Sequence, residues 1–438
     1  MQHDGDEDFH LARTVKTTLR NVPQRCREVW SRCADVAARA QRDADEDERI
    51  RGDVLFLILP RLLLTPVVGA GSHWSSKAAK VVKQRCLRFL AGGSAWEALW
   101  TETTTSQPDP PSAQTAADRD EVQRQRRAEY EQDSERTELQ HKHDYVVKLV
   151  QGGDVRKAAS HLTSLGTAPD TADTAAKIDA LQFPRRASQR PAQAAARAHR
   201  PADLVLSEED VLDGIRHAPL RSATTGSGWR NEFFKAMAEH EVGRTAAFTV
   251  LSRIAQGQFG LRVSTGERLN VINAARLIAI DRGNDKIRPI AIGEVMRRLA
   301  ASCVIRSHVR AIEARVLKAK NLAFSKDGSA TVFKTVQVLL EANTDFLLVE
   351  TDLAAAFQRA SREDMLAELY ADPTLRDMIP LFLSLYEEDA DLFFSDVAHM
   401  LSREGSHQGC PMGSFLFILT VAEEGVRSTY APAVGGSE

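Results

Sequence analysis

Glu404-Gly405-Ser406-His407-Gln408-Gly409-Cys410-Pro411-Met412-Gly413-Ser414, followed by the apolar run Phe415 to Val421, is the stretch on which the fold turns. Gly409 lets backbone approach a neighbour or ligand closely. Pro411 suits the first position of a helix, where its missing N–H costs nothing. The free N–H groups of such a helix start can face a base or a phosphate, and Gln408 can lie flat against it. A plain helix start of the Gly-Pro kind remains an equal reading of this stretch alone. Upstream, Phe346 to Thr351 predicts a short buried strand that delivers one carboxylate, Asp352, with Phe357 five residues beyond it.

The 438 residues suffice for a large core and two or three domains. Hydrophobic residues make up 43% and charged residues 27%, the proportions of an ordinary soluble chain. The formal net charge of −3 argues against a nucleic-acid partner, but its distribution does not. Arg276 to Asp327 holds twelve Lys/Arg against five Asp/Glu, and Glu341 to Glu404 holds fifteen Asp/Glu against four Lys/Arg. A basic half beside an acidic half can bind phosphates on one side and divalent cations on the other. Two solvated faces of opposite sign would look the same. The five cysteines show no C-x-x-C spacing, so neither a zinc site nor a redox motif is expected. Without a secretory signal, the thiols read as reduced and intracellular. The apolar run Val54 to Val68 is broken by Pro60 and Arg61 and is shorter than the ~20 residues of a membrane span. It predicts a buried helix pair, and no membrane partner is expected.

Residues 1–100 read as a helical region, with Val29, Cys33 and Ala37 at spacing four and further periodicity from Val81 to Trp100. A polar and charged linker follows at 101–144, whose second part, Asp118 to Asp144, reads as a solvated helix. A short helical segment occupies 145–183, and an arginine-bearing linker 184–204. From 205 to 438 helices and strands mix. Ser207 with Asp210 predicts an N-cap, as does Ser361 with Asp364. Leu269 to Ile280 and Ile287 to Ile292 predict strands joined by the turn Arg282-Gly283-Asn284-Asp285. Glu294 to Lys320 predicts one long helix. The fold class expected is α+β, preceded by a mostly α-helical N-terminal region.

Nucleotide addition requires two hard cations, one activating a 3′-hydroxyl and one holding a triphosphate. Such cations take oxygen ligands. Asp352 at a strand end is fixed yet open to solvent, and Glu350 shares its face if the strand is regular. A strand-end Asp capping the next turn is the alternative. Lys286 and Arg288 stand at i and i+2 on a strand, where both reach a triphosphate and Arg offers a two-pronged donor.

The order and spacing of these pieces resemble the reverse transcriptase domain of non-LTR retrotransposons, over about Ser207 to Tyr430. The segments that carry the resemblance are Arg288-Pro289-Ile290-Ala291-Ile292-Gly293-Glu294, Arg297-Arg298-Leu299, Gly226-Ser227-Gly228-Trp229, Asp352 with Phe357, and Gln408-Gly409-Cys410-Pro411. The resemblance implies the fingers and partial palm of a right-hand polymerase. It implies Lys286 and Arg288 on the triphosphate, and Asp352 as catalytic ligand of Mg2+ or Mn2+. Phe357 would select the deoxy sugar, and Gln408, Gly409 and Pro411 would shape the nucleotide and template pocket. The implied partners are an RNA template, a DNA primer and dNTPs, and the implied residence is nuclear.

Two departures stand out. The family carries Asn on both sides of its Ala-Phe pair, where this chain has Ala355 and Gln358. The family's next motif, an aromatic-x-Asp-Asp hairpin, brings the remaining metal carboxylates, and Val421 to Glu438 contains no Asp. The expectation is an RNA-directed DNA polymerase domain whose 438-residue chain does not polymerise alone. The alternative is a non-catalytic nucleic-acid-binding relic that keeps a basic groove from Arg276 to Lys326. An RNA-templated RNA polymerase is a third reading, against which Phe357 argues.

Overall fold

The computed structural model describes residues 18–43, 45–66, 76–105, 143–147, 150–151, 159, 166–182, 204–220, 223–262, 268–269, 271–318, 321–348, 355–395, 397–407 and 409–421. Asp352, Glu350 and Gln408 lie outside these residues, as do most of the two expected linkers.

The fold is α+β and mostly helical. Helices α1 (Arg27–Ala40), α2 (Glu46–Leu64), α3 (Ser76–Ala91) and α4 (Ser94–Thr105) come first, then α5 (Ala172–Asp179), α6 (Glu208–His217), α7 (Asn231–Ala238) and α8 (Glu241–Ala255). The short pair β1 (Leu261–Arg262) and β2 (Arg268–Leu269) precedes β3 (Ala275–Asp281) and β4 (Ile287–Gly293). Next come α9 (Val295–Ser307), α10 (Val309–Lys318), α11 (Gly328–Ala342), the one-turn α12 (Ala356–Arg359), α13 (Arg362–Ala371) and α14 (Ile379–Tyr386). Strands β5 (Ala390–Phe394) and β6 (Ala398–Ser402) and helix α15 (Gly413–Val421) complete the order. One four-stranded sheet runs β4-β3-β5-β6, with β3 parallel to β5 and β5 antiparallel to β6.

Two compact units divide the chain. One comprises 1–100, 170–278 and 289–438, and the other 101–169 and 279–288. In the first unit a continuous core runs from Val22 to Leu419. In α1, Val29, Cys33 and Ala37 are all buried, as their spacing predicts. At the centre of the core Trp229 stacks on Phe56 with ring centroids 4.7 Å apart, and Trp30 and Phe233 close around it. Of the apolar run expected to make a helix pair, Val54 to Leu64 lies in a single helix that passes through Pro60. Proline has no N–H for the carbonyl four residues back. That carbonyl, on Phe56, accepts instead from the indole Nε1 of Trp229 at 2.9 Å. In the second unit, Thr167 bridges Ile280, and Ala168 donates to the Ala279 carbonyl at 2.8 Å.

Local capping signals are found where the side chains put them. Ser207 and Asp210 form a reciprocal capping box on α6, and Ser361 accepts from the Asp364 N–H at the start of α13. The turn between β3 and β4 carries positive φ at Gly283, Asn284 and Asp285. Three expectations are corrected. The helix expected over Glu294 to Lys320 breaks at His308 into α9 and α10. There Ser307 and His308 side chains both bond back to the Val304 carbonyl, and His308 also reaches Asp377. Phe346 to Leu348 is irregular rather than a buried strand, with exposures of 55%, 87% and 59%. No strand of the described sheet lies beside it to satisfy its backbone. Helix α4 runs on to Thr105, into the stretch expected as linker.

No helix among the described residues is long and apolar enough to cross a membrane.

Candidate functional site

Strand β6 delivers its chain end at Ser402 into the loop Glu404 to Met412, and the loop feeds α15. The sequence permits this sharp course because Gly405 and Gly409 both take positive φ, +69° and +106°. A Cβ on Gly405 would sit 2.2 Å from the Phe357 carbonyl oxygen, a backbone clash that nothing can relieve. A Cβ on Gly409 would sit 3.2 Å from the Ala291 carbonyl oxygen of β4. The glycines therefore let one loop touch two segments distant in sequence.

Polar contacts fix the same convergence. The Ser406 N–H donates to the Phe357 carbonyl at 2.8 Å. The Phe357 ring lies 5.3 Å from that of Phe417 on α15. Arg362, buried at the start of α13, donates its side chain to the Gly405 and Ser402 carbonyls and to Ser402 Oγ, while its N–H donates to Glu404 Oε1 at 2.7 Å. Arg297 on α9, only 1% exposed, donates to the Asn273 carbonyl at 3.0 Å and meets His407 Nδ1 at 3.1 Å. Both guanidinium groups lie over the buried Tyr386 ring, at 5.7 Å and 5.2 Å. Burial, then Arg297 and Arg362, hold His407 well below the usual imidazole range, so it is neutral. Burial pushes the Tyr386 phenol up, and it stays protonated.

The start of α9 is pinned in the same way. Glu294 caps it by accepting from the Val295 N–H, and its carboxylate also accepts from the hydroxyls of Thr225 and Ser227. The segment Gly226 to Trp229 is thus tied to the end of β4. From the other side Thr18 donates to the Gly228 carbonyl and Arg61 of α2 to that of Gly226. Burial lowers the Arg61 pKa to about 10 against the pull of Glu294.

Of the expected site residues, the structure brings Phe357, Gly409 and the backbone of β4 to one loop. Pro411 lies in the turn just before α15 rather than at its first position. Arg288 lies on β4, and Lys286 lies in the turn before it rather than on the strand; both are exposed. Asp352 and Gln408 are outside the described residues. Arg297, expected in a basic groove, is instead a buried structural donor. Arg362 and His407 were not singled out by the sequence; the one signal for them was their flanking of the aromatic and glycine motifs. Among the described residues no group of three or more His, Cys, Asp or Glu is placed to hold a metal ion.

No protein-family model matches the chain, and no curated protein matches its sequence.

Proposed function

We propose that residues 205–438 are the fingers and part of the palm of an RNA-directed DNA polymerase domain of the non-LTR retrotransposon kind. The domain would bind RNA template and DNA primer. One observation carries this reading. The segments at 226–229, 288–298, 357 and 405–413 were selected by order alone, and they meet through direct contacts. Ser227 meets Glu294, Arg297 meets His407 and Ser406 meets Phe357, a series of contacts that unrelated motifs scattered over this length have no reason to make.

In this reading the exposed Lys286 and Arg288 meet phosphate, Phe357 lies under the sugar, and Gly409 permits close approach of the base. Asp352 is the ligand assigned to Mg2+ or Mn2+. A pair of hard cations takes several oxygen ligands, of which Asp352 would be one. The irregular, exposed Phe346 to Leu348 ahead of Asp352 favours the second reading, a non-catalytic nucleic-acid-binding relic.

The test is binding of a labelled DNA primer annealed to an RNA template, followed by fluorescence anisotropy across a salt series. Affinity is expected to fall steeply with salt as counterions are released. Lys286→Glu with Arg288→Glu should flatten the salt slope by roughly two, one per phosphate contact. Unchanged binding in that double variant would overturn the assignment. Primer extension with Mg2+ that Asp352→Ala abolishes would overturn the relic reading in favour of the polymerase.

A further inference from the structure

We propose that Arg297 is a positioning residue for the loop Glu404 to Gly413: its donation to His407 Nδ1 fixes one tautomer of that histidine and, through it, the seat of Gly409 against β4. The consequence for nucleotide recognition rests on the polymerase reading, whereas the geometry stands apart from it.

The chemistry leaves little freedom. A guanidinium has five donors and no acceptor, and it stays protonated in proteins. Its contact with His407 Nδ1 at 3.1 Å therefore requires Nδ1 to be the acceptor and Nε2 to carry the proton. Arg297 is itself held from the other side, by the Asn273 carbonyl at 3.0 Å and by the face of Tyr386. The His407 ring meets that same Tyr386 edge-on, with centroids 5.9 Å apart. His407 is 5% exposed, so solvent does not compete for Nδ1.

The backbone then transmits the position. The His407 carbonyl accepts from the Cys410 N–H at 3.0 Å. Gly409, just ahead of that amide, is the residue that abuts the Ala291 carbonyl. Arg362 fixes the start of the loop through Glu404, Gly405 and Ser402, and Arg297 fixes its middle. The titratable and charged groups that face His407 or the shared Tyr386 ring are Arg297, Arg362, Tyr386 and Cys410, with Glu404 bonded at the loop start. Both cations disfavour a second proton on the ring, which keeps it neutral.

The test uses the full chain labelled with 15N-histidine, with His407 assigned by the loss of its signals in His407→Gln. The expected spectrum is the Nε2–H tautomer. An Nδ1–H tautomer or a rapidly averaging ring in the wild-type protein would overturn the proposal. In Arg297→Met the Cys410 amide should exchange with deuterium about tenfold faster or more, the loss of one charged hydrogen bond. The amides of α8 should keep their protection, and Arg297→Lys should restore part of the protection at Cys410. Equal exchange at Cys410 in Arg297→Met and wild type would overturn it. Binding of the RNA–DNA hybrid separates the two claims. If the wild-type chain fails to bind while tautomer and exchange behave as expected, the polymerase reading falls and the positioning role stands.

Discussion

Ala355 occupies left-handed backbone, with φ of +53°, where it caps the one-turn helix that carries Phe357. An L-residue with a Cβ pays roughly 1–2 kcal/mol there, and Asn relieves much of that through its own local hydrogen bonds. Ala355→Asn should therefore stabilise the chain by up to about 1 kcal/mol, read as a higher urea midpoint at unchanged slope. A lower midpoint would mean that the turn is not left-handed. Two histidines carry opposite pH signatures. At His308, burial opposes the charge, but contacts of 2.9 and 3.0 Å to Asp377 outweigh it and raise the pKa. That stabilisation is complete below the unfolded value of about 6.5 and is lost as pH rises through the folded one. Asp377→Asn should remove this alkaline loss. At His407 the pKa is depressed, so its contribution is present above about 6.5 and is lost as pH falls below it. Urea midpoints measured across pH for wild type, Asp377→Asn and His407→Gln check both signs. Residue type alone made the close backbone approach at Gly409 legible, because a positive φ and a tight contact favour glycine. It misread Arg297, since charge says nothing about burial, and a guanidinium in the core looks in sequence like one in a groove.

At the scale of elements, what was legible was what is local. Ser207 and Ser361 announced their helices because a cap needs only the three residues after it. The break at His308 was not legible, because Asp377, which helps to hold it, lies sixty-nine residues away. Over Phe346 to Leu348 the expected strand fails for a related reason: a β-strand is completed by a neighbour, which no local pattern reveals. The join between the Gly226 to Trp229 segment and α9 is likewise non-local, and it rests on one carboxylate. Glu294 accepts three hydrogen bonds while almost fully buried, and it is the acid beside the desolvated Arg61 and Arg298. Glu294→Ala would orphan the Thr225 and Ser227 hydroxyls and remove the negative charge that offsets the desolvation of both cations. Each buried polar group left unsatisfied typically costs about 1–3 kcal/mol. Urea unfolding should show a loss of that order in Glu294→Ala and a smaller one in Glu294→Gln, which keeps an acceptor. A loss below about 1 kcal/mol in the Ala variant would mean that the cluster is not closed to water.

For the whole molecule, periodicity told which face of each N-terminal helix is buried but not what buries it. The expected boundaries set residues 1–100 apart from 205–438, yet in the structure the two share one core. Trp229 is the clearest case. Its ring is sealed by Phe56 and Trp30, its N–H is taken by the carbonyl that Pro60 leaves free, and Asp53 of α2 receives Arg253 and the Gly260 N–H. Cut away from 1–105, the segment 205–438 would expose Trp229, Phe233 and Phe234 together and leave Arg253 without its carboxylate. The loss of Trp229 contacts alone is worth about 3–5 kcal/mol on the scale of core Trp truncations, a large share of the ~5–15 kcal/mol that holds a domain together. The expected outcome is that 205–438 expressed alone binds a hydrophobic dye and lacks a cooperative urea transition. Co-expression with 1–105 should restore both solubility and cooperativity. Trp229→Phe in the full chain isolates the polar part of the link, since it keeps most of the ring packing but orphans the Phe56 carbonyl. That orphan should cost about 1–3 kcal/mol. A 205–438 fragment that unfolds cooperatively at the midpoint of the full chain would show that the N-terminal helices are a separable appendage rather than part of the core.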